Sequence, residues 1–143
     1  MRAVLQRAEE ASVEVGEEIV SRLDAPGLVA LVAAHKDDTD ADIAKMAARI
    51  QNLRILEGEE SVLQSDAPVM VVSQFTLYGR TRKGSRPSWS DAAPAPVAEP
   101  MVDKLVDLLR ESGLRVVTGR FGEMMKVSLV NDGPFTVIVD TKE

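Results

Sequence analysis

The sequence predicts an α/β fold: mixed, mostly antiparallel β-sheets of about seven strands with two helices. Three observations carry this. Apolar and polar residues alternate with period two in MRAVLQRAE and ASVEVGEEIVSRL. Two nearly continuous apolar runs, PGLVALVAAH and PVMVVSQFTLY, have the composition of central strands covered on both faces. Only two stretches repeat apolar residues at helical spacing, too few to cover both faces of such a sheet, so a second sheet or a second subunit is expected over one face.

Along the chain, the opening alternation reads as a first strand followed by two more joined through the Gly16-Glu17 turn, which makes the start of the sheet antiparallel. PGLVALVAAH follows as a central strand ending at His35. DTDADIAKMAARIQNL has Thr39 placed to cap a helix, Asp42 three positions on, and Ile43, Met46, Ala47, Ile50 and Leu53 on one face. PVMVVSQFTLY is the strongest strand former; the Gly, Arg, Ser and Pro content after it predicts a loop to about Pro94, long enough to suggest binding. A second helix is expected from about Pro96 to Ser112 with Gly113 ending it, and LRVVTG, MMKVSLV and FTVIVD supply three more strands. Asn131-Asp132-Gly133 has the chemistry of a tight turn reversing the chain between the last two, with Pro134 fixing a rigid exit.

At 143 residues the chain is read as a single domain, residues 1–143, able to bury a sizeable core. It has no cysteine, which excludes disulfides, thiolate metal sites and cysteine nucleophiles and suggests a reducing compartment. The N-terminus lacks the pattern of a signal peptide and no stretch is long and apolar enough to span a membrane, so a cytoplasmic protein without membrane attachment is expected. The net charge of −6 argues against a broad electrostatic grip on nucleic acid. One local exception is GRTRKGSRPS, where Arg80, Arg82, Lys83 and Arg86 precede the next acid, Asp91.

Catalytic residue types are scarce. His35 is the sole histidine, so a serine or threonine hydrolase would need it; its place at the end of an apolar strand equally suits a structural residue. No metal site and no cofactor are expected, and Glu57, Glu59 and Glu60 read as a solvated turn. SQFTLYG stands out because Ser73, Gln74 and Thr76 put polar groups where a central strand leaves the core. Thr76 has no base near it in sequence, whereas backbone amides there could stabilise an oxyanion.

SQFTLYG at 73–79 and VNDGPFT at 130–136, with RKGSRPS between them and LQRAEEASVEV at the start, make the chain resemble the D-aminoacyl-tRNA deacylase family in its compact dimeric form. The likeness runs essentially end to end and includes TGRFGEMMKVSLVNDGP. It implies that family's fold, a homodimer covering the open sheet face, and a metal-free ester hydrolase that releases D-amino acids from tRNA. Glycine is also removed, including glycine mischarged on tRNA-Ala, and L-aminoacyl-tRNA is spared. By the same resemblance, Ser73, Gln74, Phe75 and Thr76 form the pocket wall, with amides near Phe75 meeting the substrate carbonyl. Gly133 and Pro134, with Asn131, form a cis-proline element that enters the partner's pocket and leaves no room for an L side chain, and Arg7 holds that element. Arg80, Arg82, Lys83 and Arg86 would meet the phosphates of the acceptor end. LEGEESVLQSDAP is shorter than the family's usual connection. Two other readings are a non-catalytic module binding the tRNA acceptor end, and a small-molecule esterase using Ser73 or Thr76.

Overall fold

The computed structural model describes residues 1–143, in the order β1 (Arg2–Val15), β2 (Glu18–Arg22), β3 (Gly27–Ala33), α1 (Asp40–Asn52), the single turn α2 (Val62–Ser65), β4 (Val69–Ser73), α3 (Ala95–Glu111), β5 (Val116–Thr118) and β6 (Met125–Asp140). Both long helices lie where spacing predicts them. The Thr39 amide donates to Asp42 Oδ2 (2.9 Å) at the start of α1, and Gly113 takes φ +95° just past α3. No helix is long and apolar enough to cross a membrane.

The sheet has six strands rather than about seven because its first and last strands run on without a break. Residues 2–8 of β1 pair antiparallel with β3, and residues 12–15 pair antiparallel with β2 through the Gly16-Glu17 turn, where Gly16 has φ +63°. β6 pairs antiparallel with the other edge of β1 over nearly its whole length, from Arg2 opposite Asp140 to Val15 opposite Met125. The expected reversal at Asn131-Asp132-Gly133 is therefore absent. The chain keeps its direction through this segment, and the partner of KVSLV and FTVIVD alike is β1, which is long enough to pair with both. The β3-β4 and β4-β5 pairs are parallel, and β3 and β4 have the nearly continuous apolar sequence typical of parallel strands buried on both faces.

Two cores follow. On one face α1 and α3 cover the sheet, burying Leu5, Ile43, Met46, Ile50, Leu105 and Leu109 to 2% exposure or less. On the other, Ala8, Ala11, Val13, Val29, Met70 and Val72 form a smaller cluster. Along β1 the side chains change allegiance: Ala3 and Leu5 belong to the helix-side core, Ala11 and Val13 to the smaller one. The ladder with β6 is irregular between Ala8 and Ala11, and such a bulge bends a strand and raises its twist. The sheet thus curls over itself into a nearly closed barrel, and this self-cover answers part of the shortage of helices.

A polar cluster ties the two ends of the chain to α1. The buried Met1 amine contacts Asp38 Oδ1 and Thr141 Oγ1, each at 2.7 Å. Thr141 donates to Asp42 Oδ1 (2.8 Å), and Lys142 Nζ donates to Asp42 Oδ2 (3.0 Å). Donation from the Thr39 amide, reinforced by Lys142 and Thr141, holds the Asp42 carboxyl well below the usual carboxylate range despite burial. Asp42 therefore binds its proton less readily folded than unfolded. Its contribution to stability is complete above the ordinary Asp pKa of about 3.9 and is lost as pH falls through and below that value. Denaturant titrations at pH 7, 5, 4 and 3 are expected to show a steep loss of stability below about pH 4, with Asp42→Asn less stable at neutral pH and flatter across the acid range. Parallel slopes for the two proteins would contradict this assignment.

Candidate active site

β4 leaves the sheet at Ser73, opposite Val32 of β3. The Gln74 amide still donates to the Val32 carbonyl (2.7 Å), but at φ −147°, ψ 73° the backbone departs from strand geometry into a 3-10 turn over Phe75–Tyr78. Leu77 N–H closes this turn onto the Gln74 carbonyl (3.1 Å), and Gly79 N–H onto the Thr76 carbonyl (2.9 Å). The amides of Phe75 and Thr76 precede the first closure, so the turn itself offers them no acceptor. Thr76 is exposed, and its hydroxyl accepts a short hydrogen bond from Gln74 Nε2.

This turn is braced from behind. Tyr78 is buried, its ring edge-on to His35 (5.1 Å) and beneath the Arg2 guanidinium (4.7 Å). Burial pushes its phenol above the usual range. Arg2 also donates to the Leu77 carbonyl (3.0 Å) and pairs with Asp140 (2.9 Å), so β1 and β6 both hold the turn in place. His35 is occupied structurally: besides Tyr78, its Nδ1 accepts from the Asp37 amide (3.0 Å). In front of the turn lies a mostly apolar cleft of about 600 Å³, walled by Ser73, Phe75, Ala93, Val102, Phe121 and Met125. Of the group expected from sequence, Ser73, Gln74 and Phe75 border this cavity, and Thr76 is exposed outside its lining.

The second motif is elsewhere. Residues 132–135 bulge out of β6 between two pairs of the ladder, Asn131 opposite Ala8 and Thr136 opposite Gln6. Ser73 sits across β3 from Ala3; Ala8 is five residues further along β1, about 16 Å at 3.3 Å per residue. One chain therefore keeps its two motifs apart. The Gly133-Pro134 bond is cis. Arg7, singled out by sequence, does reach this element: Nε donates to the Asp132 carbonyl and Nη2 to the Gly133 carbonyl, both at 2.9 Å, with the guanidinium over the Phe135 ring (4.7 Å).

Sequence reading missed Gln6, which is 7% exposed. Its Nε2 donates to Asn131 Oδ1 (2.9 Å), Asn131 Nδ2 donates back to Oε1 (3.0 Å), and the Thr136 hydroxyl donates to the same oxygen. One buried amide thus ties both ends of the bulge. Nothing in a glutamine within an alternating strand signals this; only the β1-β6 register does. In the basic loop, Arg80 is committed to Asp91 through two hydrogen bonds of 2.7 Å, which leaves Arg82, Lys83 and Arg86 as the exposed cations without an ion pair.

The model of the family described as D-Tyr-tRNA(Tyr) deacylase matches residues 4–140. A protein of Corynebacterium glutamicum (strain R) named D-aminoacyl-tRNA deacylase is 55% identical over 143 residues, covering 98% of this chain and 99% of that protein. One of the same name from Thermobifida fusca (strain YX) is 54% identical over 140 residues, with the same coverage. Among solved structures, the c-Myc DNA Unwinding Element Binding Protein superposes with a TM-score of 0.91 at 34% identity over 98% of each chain. A structure described as a probable eukaryotic D-amino acid tRNA deacylase superposes with a TM-score of 0.86 over 96% of this chain and 97% of that one; at 17% identity it shows the shared fold.

Replacing Gln6 by alanine would leave Asn131 and Thr136 without their partner at the base of the bulge. Gln6→Ala is expected to cost about 1–3 kcal/mol in denaturant unfolding. It should also accelerate amide hydrogen exchange selectively at residues 131–136. Exchange unchanged there would show that Gln6 does not anchor the bulge.

Proposed function

The chain belongs to the D-Tyr-tRNA(Tyr) deacylase family, and from that premise we propose that it hydrolyses the ester joining a D-amino acid to the terminal ribose of tRNA. Water adds to the ester carbonyl carbon, the carbon-oxygen bond to the ribose breaks, the ribose oxygen takes up a proton, and free D-amino acid and tRNA are released. The observation that carries this reading is the turn after β4. Its first amides, at Phe75 and Thr76, have no acceptor within the turn, and Phe75 borders a cleft large enough for a small substrate group. Two such donors can stabilise the oxyanion that forms when water adds, a form of catalysis that needs no nucleophilic side chain. His35, the one imidazole, is engaged by Asp37 and Tyr78, which favours a positioning role for Thr76 over nucleophilic attack.

The same reading assigns chiral selection to a second copy of the chain. Gly133 and Pro134, with Asn131, are exposed and carried on a bulge anchored by Gln6 and Arg7, while their own chain's Ser73–Thr76 turn lies about 16 Å away along β1. A homodimer would bring the bulge of one subunit to the turn of the other. Backbone placed there would accept from the substrate amino group and occupy the space an L side chain needs, while a D side chain or the hydrogen of glycine would pass. Glycine removal, including from mischarged tRNA-Ala, follows from this exclusion. The exposed cations Arg82, Lys83 and Arg86, with Arg80 anchoring the base of their loop, are assigned to acceptor-end phosphates.

Release of tyrosine from D-tyrosyl-tRNA is expected to exceed release from L-tyrosyl-tRNA by at least about a hundredfold, roughly the 3 kcal/mol that a steric clash readily supplies. Comparable rates would refute selection by exclusion. Thr76→Ala is expected to retain measurable turnover, about a tenth or more of the parent kcat, as fits a positioning residue. Complete loss of turnover with substrate binding intact would instead make the hydroxyl the nucleophile.

A further inference from the structure

Trp89, the only tryptophan in the chain, is 42% exposed, and its neighbour Phe75 is 55% exposed. Neither ring is placed to fill a core. They meet edge to face with centroids 5.6 Å apart, and both border the cleft in front of the Ser73–Thr76 turn. The tryptophan has a seat made for it: a Cβ on Gly79 would lie 2.7 Å from its Cζ3, so only glycine lets the indole settle against this turn. The flanking backbone is clamped as well. Arg80 and Ser88 exchange backbone hydrogen bonds (2.9 and 3.3 Å), Ala92 N–H closes onto the Trp89 carbonyl (3.1 Å), and the Arg80-Asp91 pair locks the base of the loop. A large aromatic face is thus held at the cleft rim at little further entropic cost when it is covered.

Arg82, Lys83 and Arg86 stand in the segment that the Arg80-Ser88 bridge encloses. Arg86 is three residues from Trp89, within about 11 Å of chain. A presented aromatic face beside unpaired cations, on a chain of net charge −6, combines a π-surface with a local site for phosphate, the pairing that unpaired nucleotides require. Resting on the deacylase reading above, we propose that Trp89, seated against Gly79 and Phe75, is the stacking platform for an unpaired nucleobase preceding the aminoacylated nucleoside. Arg82, Lys83 and Arg86 meet the adjoining phosphates. Stacking of this kind tolerates any base, so it contributes affinity and register for the single-stranded end without reading tRNA identity.

Because Trp89 alone supplies the indole fluorescence, titrating the parent protein with the oligoribonucleotide ACCA is expected to give a saturable fluorescence change that weakens with added salt. For Trp89→Ala, kcat/KM is expected to fall roughly tenfold to a hundredfold further on D-tyrosyl-tRNA than on D-tyrosyl-adenosine, which lacks the preceding nucleotides, with most of the difference in KM. Trp89→Phe should recover most of that difference. Equal losses on the two substrates, or no fluorescence change with ACCA while the parent protein hydrolyses D-tyrosyl-tRNA, would overturn the stacking inference alone. Failure of the parent protein to hydrolyse D-tyrosyl-tRNA would overturn the deacylase reading and this inference with it.

Discussion

The antiparallel ladder between β1 and β6 is the constraint on which the rest of the structure depends. It joins the first strand to the last over nearly their full lengths, and the other edge of β1 carries β2 and β3. Arg2, near one end of the ladder, pairs with Asp140 and braces the turn after β4. Gln6 and Arg7, four and five residues on, hold the bulge between Asn131 and Thr136. A single register therefore sets the position of both motifs, one braced at each end of the same half-strand. The long sequence separation is what makes this possible: no local turn could fix two sites displaced by about 16 Å along one strand with the stiffness of a hydrogen-bonded ladder.

Charge is divided with similar economy. The acidic body places Asp38 and Asp42 around the Met1 amine and Lys142, where they knit the chain ends to α1. One further acid, Asp91, neutralises Arg80 at the root of the basic loop. Arg82, Lys83 and Arg86 stand in that loop without an ion pair and with no acid between Arg80 and Asp91, so an anionic polymer meets local attraction there against the net negative charge of the chain. An overall negative charge is thus compatible with a nucleic-acid substrate, provided that only its end is gripped.

Elements set by local chemistry were legible in the sequence. The Thr39 cap, the Gly16 turn, the continuous apolar runs of β3 and β4 and the span of α3 were each read correctly, because each depends on residues within a few positions. The segment at Asn131-Asp132-Gly133 was misread as a reversal, because the residues that favour a tight turn also favour an outward bulge. Only pairing with β1, more than a hundred residues earlier, distinguishes the two. The site divided along the same line. Ser73–Thr76 was legible as polarity at a strand end and Arg7 through the resemblance, but Gln6 was not, since a strand glutamine carries no sign of what it will face across the sheet. The commitment of Arg80 to Asp91 was likewise hidden, because Asp91 stands three residues beyond the basic stretch and only the fold of the loop brings the two together.

The bulge has a consequence for how the gene can change. Between Gln6 and Ala8, two steps on β1 face five on β6, and between Ala8 and Ala11, three steps face two. Each strand thus gains an odd number of residues relative to the other, once each, and the two gains together restore the in-step pairing of the strands beyond. The pairs on either side, Gln6 with Thr136 and Ala8 with Asn131, hold the register, so a codon gained or lost between them would change the height of the bulge while Val127 and Met125 kept their places against the smaller core. Small changes in the length of this segment would therefore alter how far Gly133 and Pro134 project and leave the barrel intact.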